Sequence, residues 1–125
     1  APAGPRPTSP LQLPGAGAAG AQSLTGIPWL NRLRQRAGAA VWPFQPVTDQ
    51  AAVVAEVYPS ILSNAVKKSG DVIKDRAQVR LLARALWRLS QTGGRAPLFT
   101  VPESAQVEGW ILGAGHRDAL EQALQ

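Results

Sequence analysis

AAVVAEVYPS, residues 51–60, is the stretch on which the reading of this chain turns. Residues 51–58 form a nearly continuous apolar run, as expected of a strand covered on both faces of a sheet. Tyr58-Pro59 takes the chain out of that sheet, because proline cannot donate to the ladder. A short helix over Ser60–Ala65 follows. Glu56 is the one carboxylate within the run. Strand alternation puts Val54 and Tyr58 on its face and turns Ala55 and Val57 the other way. A buried ionised acid is costly unless it is paired or metal-bound. Glu56 is therefore a candidate site residue, or else it pairs with an arginine or sits where the strand frays toward solvent.

Downstream, KKSGD (67–71) reads as a loop and Lys74–Gln91 as the strongest helix. Val79, Leu82, Leu86 and Leu89 form one stripe at helical spacing, and Gly93-Gly94 closes the helix. Asp75 lies in its first turn, where the helix dipole favours an acid. A sharper reading turns Asp75 inward toward the end of the Glu56 strand, where two carboxylates could share a divalent ion through oxygen ligands. Arg76, Arg80, Arg84 and Arg88 recur every four residues, drifting by about 40° each, so they form one basic ridge. Such a ridge tracks phosphates or is simply a solvated face. No aromatic residue is evidently interleaved with it, so base stacking is not indicated. Trp29, Trp42, Trp87 and Trp110 all sit among apolar neighbours and are expected in the core. Residues 95–106 read as loop, and 110–112 as a final strand or packed segment. His116–Leu124 reads as a short last helix with His116 at its start or on the surface.

Upstream, Pro, Gly and Ala dominate residues 1–20, and no acid precedes Asp49. Residues 1–10 read as an extended arm, and Leu11-Gln12-Leu13 as a short edge strand. Residues 15–20 spell G-x-G-x-x-G, but a dinucleotide site needs a strand before it and an acid about 20 residues later. Pro14 and the late first acid argue instead for a tight turn of small residues. A helix is expected between Gln22 and Arg36, regular from about Ile27, with Pro28 in its first turn. Trp29, Leu30 and Leu33 would share a face, and Gly38 would end the helix. Residues 41–44 (VWPF) read as a short strand. Helices and strands alternate, so the fold class is α/β, with residues 11–125 as a single domain.

The chain has 125 residues and a net charge of +5, with no cysteine and a single histidine. Disulfides, thiolate metal sites and a histidine-cluster metal site within one chain are excluded. The basic excess suits a polyanionic partner. No apolar run approaches the length of a membrane span, and no secretory signal is evident. These features predict a cytoplasmic protein without membrane attachment. A start at Ala rather than Met suggests a piece of a longer protein.

Several segments in order resemble the C-terminal part of an uncharacterised bacterial protein family grouped with predicted ribonuclease H-like nucleases. They are residues 15–28 (GAGAAGAQSLTGIP), 30–34, 41–44, 55–60 (AEVYPS), 74–80 (KDRAQVR) and 108–113 (EGWILG). The resemblance implies a partial ribonuclease H-like fold, with a small sheet packed against helices. It also implies clustered carboxylates that bind Mg2+ or Mn2+. By motif, Glu56 and Asp75 match acidic positions of the family and would ligate the metal. The first-strand aspartate has no counterpart, the first half of the fold is missing, and Gln78 stands where many related helices carry a second acid.

Two functions follow. One is the C-terminal portion of a metal-dependent nuclease or phosphodiesterase, with Glu56 and Asp75 catalytic and Arg76 and Arg80 on substrate phosphates. The other is a non-catalytic binding or protein-interaction module that uses the basic helix face. Candidate partners are nucleic acid, a second copy, or the missing N-terminal half.

Overall fold

The computed structural model describes residues 20–47 and 52–125. The predicted arm, the 11–13 strand and almost all of the 15–20 glycine motif lie outside the described residues. The described residues fall into two compact units, 20–40 with 52, and 41–47 with 53–125. The class is α/β: mostly helical, with a small parallel sheet of two strands, β1 (Ala40–Trp42) and β2 (Val53–Ala55).

In the first unit, α1 spans Gly20–Ala37, so the regular helix begins well before Ile27 and holds Pro28 in its interior. Gly38 ends it at φ +60°, a conformation that glycine adopts without penalty. Leu24, Ile27, Trp29 and Leu33 are all exposed, and the Arg32 guanidinium lies 5.0 Å from the Trp29 ring centre. The expected apolar face of Trp29, Leu30 and Leu33 is therefore only partly covered, with Leu30 half-buried.

The second unit carries the main core. Trp42, Leu62, Leu82, Ala85, Leu98, Leu112 and Leu120 form one buried cluster. Leu62, Leu98 and Leu120 are sealed from solvent, and each contributes roughly 1.5–3 kcal/mol by burial. The Trp42 ring meets Phe99 edge-on, with centroids 5.7 Å apart and planes at 84°. This is the favoured geometry for two aromatic quadrupoles.

The 51–58 segment corrects its own reading. Of the described residues of this run, 52–58, only Val53–Ala55 is strand, with Val53 exposed and Val54 and Ala55 half-buried. A two-stranded sheet cannot cover both faces of a strand as a wide parallel sheet does. The Leu112 N–H donates to the Glu56 carbonyl at 2.9 Å, so residues 110–112 pack beside the strand's end without forming a strand. As expected, Pro59 turns the chain aside, into a 3₁₀ turn (Pro59–Leu62) that leads into α2 (Ser63–Lys68). Lys67 and Lys68 thus belong to a helix, and the loop begins at Ser69.

Helix α3 spans Lys74–Gln91, as the periodicity predicts. Its covered side is centred on Ala77, Leu82 and Ala85, with Leu81, Leu86 and Leu89 packed against the core. Two inward alanines let the Pro59–Leu62 turn and α2 approach closely. Val79 is exposed, so the inner stripe lies about a quarter-turn away from the one expected. After a 3₁₀ turn (Ala96–Phe99) come two short helices, α4 (Ala105–Glu108) and α5 (Arg117–Gln122). Long polar side chains fasten the helices. Arg88 Nη1 donates to the Ala123 carbonyl at 2.9 Å, and Arg117 Nε to that of Ile61 at 3.1 Å. Gln78 Nε2 donates to Ser60 Oγ at 3.3 Å. Gln78 is thus a structural tie between α3 and the 3₁₀ turn.

Candidate nucleic-acid interface

The loop before α3 is held by its own polar side chains. Ser69 Oγ donates to the Val66 carbonyl at 2.7 Å and accepts the Asp71 N–H at 3.3 Å. Asp71 accepts the Ile73 N–H at 2.9 Å, which satisfies a backbone donor at the helix entrance. Its two oxygens also take Arg76 in a fork, Nη2 to Oδ1 at 2.7 Å and Nε to Oδ2 at 3.0 Å. This fork is the charge-assisted geometry that arginine makes with carboxylates. The Arg76 hydrogen bonds, followed by that of Ile73, hold the Asp71 carboxyl down at about 2. The same bond raises the Arg76 guanidinium further. Asp71–Arg76 is the one ion pair among the described residues.

The four arginines of the ridge therefore have different duties. Arg76 is committed to Asp71 and Arg88 to the Ala123 carbonyl. Arg80 and Arg84 are exposed one turn apart and make no ion pair among the described residues. They border a cavity of about 270 Å3 together with Ser69, Asp71, Ala77 and Leu81. Asp71 feels Arg80 through space, but its oxygens are filled by Arg76 and Ile73, so both cations stay available to an outside anion.

Glu56 and Asp75 follow the plainer of their two readings, the one where the strand gives way to solvent and the other as a first-turn charge, and neither is turned inward toward a shared ion. Glu56 lies just past β2 and is exposed. The strand is too short to enclose it, and no arginine among the described residues forms an ion pair with it. Asp75 is exposed in the first turn of α3 and does not point into the core. At about 100° per residue it lies about 140° around the helix from Arg80, so the two do not share a face. No hydrogen bond or ion pair joins Glu56 and Asp75 to each other. Among the described residues, no three His, Cys, Asp or Glu side chains gather as a metal-holding group. Glu121 of α5 is half-buried, and its Oε1 is buried without a hydrogen-bond partner among the described residues.

Reading the sequence also missed Trp87. Of the four tryptophans only Trp42 is in the core; Trp29, Trp87 and Trp110 are 66%, 62% and 37% exposed. Trp87 is on the outward side of α3, and its signal was its spacing of three residues from Arg84 and seven from Arg80. His116 precedes α5 at its start, as expected.

The fold and this face define a small α/β unit that presents a basic helix. No helix among the described residues is long and apolar enough to cross a membrane. No family model matches the chain, and no curated protein or solved structure matches it significantly.

Proposed function

We propose that this chain is a non-catalytic binding module whose α3 face engages the phosphate backbone of nucleic acid. The observation that carries this reading is the availability of Arg80 and Arg84: both are exposed, one turn apart, and outside any ion pair among the described residues. Cations so placed displace the counterions condensed on a polyanion, which drives backbone binding and makes it salt-dependent. The net charge of +5 acts in the same direction.

The test is an anisotropy titration of the full chain with labelled nucleic acid at several salt concentrations. Affinity is expected to fall with salt. Arg80→Gln with Arg84→Gln is expected to lower the slope of log K against log salt by about 1.4 on single strands, at about 0.7 for each phosphate no longer neutralised. Arg95→Gln, in the turn just before Ala96–Phe99, is the control. A slope unchanged by the double substitution would remove the reading.

The nuclease reading rests on the resemblance of the segments. With Mg2+ or Mn2+ it would need carboxylates beyond Glu56 and Asp75, brought from outside the described residues or from another chain. Two exposed carboxylates are accessible to such an arrangement, but they carry no hydrolytic step by themselves.

A further inference from the structure

The outward face of α3 continues past its two available arginines into an aromatic surface. At about 100° and 1.5 Å per residue, Trp87 falls within about 20° of Arg80 and about 60° of Arg84 around the axis, and about 10 Å beyond Arg80 along it. Its indole is 62% exposed. Burying a tryptophan is one of the largest apolar gains open to a chain, and the exposed Trp87 leaves most of that gain unrealised. It borders a cavity of about 460 Å3 between the end of α3 and α5, with Gln91, Thr92, Ala119, Gln122 and Ala123 among its lining. That volume lies within the range of small-molecule sites. Arg88 reaches across to the Ala123 carbonyl and ties the two sides together. The Gln91 and Gln122 amides offer donors and acceptors of the kind that pair with a base edge.

We infer that this cavity takes an unpaired nucleobase stacked on Trp87, with the adjoining phosphates on Arg84 and Arg80. This inference rests on the phosphate-binding reading of α3 and narrows its ligand to single-stranded nucleic acid. A duplex keeps its bases stacked inside and cannot lay one on the indole. A single strand offers a base face and a backbone together, and an aromatic platform beside cations accepts both.

The experiment titrates the full chain with a short single-stranded thymidine oligomer, the abasic oligomer of equal length, and a duplex. The proteins are wild type, Trp87→Ala, Trp87→Phe, and Arg80→Gln with Arg84→Gln. The exposed position of Trp87 makes its replacement compatible with folding, and circular dichroism checks this. The expected result is tighter binding of the single strand than of the duplex or the abasic strand. Trp87→Ala should lose about tenfold on the thymidine oligomer, the scale of one stacked base, and little on the abasic one. Trp87→Phe should keep most of the affinity. If Trp87→Ala binds the thymidine oligomer as wild type does while the arginine variant is weakened, the base site is overturned and the phosphate reading stands. If wild type binds none of the three probes, both are overturned.

Discussion

Gly113 and Gly115 occupy one turn ahead of α5, and replacing each by alanine separates backbone strain from packing. Both have positive φ, +80° and +83°, where a side chain costs roughly 1–2 kcal/mol. Their neighbours differ. A Cβ on Gly113 would lie 3.0 Å from Leu120 Cδ1 and 3.9 Å from Ile61 Cδ1, whereas one on Gly115 would meet nothing within 4 Å. Leu120 is sealed in the core at 0% exposure. Its methyl therefore has little room to retreat, and overpacking adds roughly 1–3 kcal/mol. Gly115→Ala is expected to lose about 1–2 kcal/mol, and Gly113→Ala about 2–5 kcal/mol once both costs are combined. Urea denaturation followed by tryptophan fluorescence measures both. Shortening the neighbour by Leu120→Val should bring the cost of Gly113→Ala down toward that of Gly115→Ala, as for coupled residues that touch. Equal losses at the two glycines in the wild-type background, or a difference that Leu120→Val leaves unchanged, would refute the packing argument.

Asp71 titrates at about 2 against an ordinary 3.8, so its stabilisation is complete above 3.8 and is lost as pH falls through 2. Urea midpoints of wild type and Asp71→Asn should therefore converge over that acidic window; parallel curves would show that the Arg76 fork contributes nothing to pH-dependent stability. Leu62→Ala should destabilise the chain by about 2–5 kcal/mol, while Val79→Ala should change stability far less, because Val79 is exposed; similar losses would contradict the covered side assigned to α3. In calorimetry with Mg2+ and Mn2+, the isolated chain is expected to show no binding that Glu56→Gln abolishes, since the described residues gather no metal-holding group. Binding that vanishes in that variant would return weight to the nuclease reading.

Local pattern alone determined much of this protein. Helix α3 runs from Lys74 to Gln91 because its apolar and basic residues repeat at helical spacing, and that regularity lies within the segment itself. Gly38 ended α1 as expected through its own backbone freedom, and Pro59 opens the 3₁₀ turn, although the strand had already stopped at Ala55. Absence of cysteine and the single histidine excluded whole classes of site before any fold was known. Tertiary structure alone decided what was covered. The 51–58 run looked enclosed, yet enclosure needs neighbouring strands, and among the described residues the sheet has two; Glu56 therefore lies outside, exposed. The arginine ridge looked uniform in sequence, but Asp71 and the Ala123 carbonyl claim its ends and leave Arg80 and Arg84 available. Trp42 and Trp87 have similarly apolar neighbours in sequence, and only one is buried. Burial and pairing depend on segments distant in the chain, and no local spacing records which distant groups arrive.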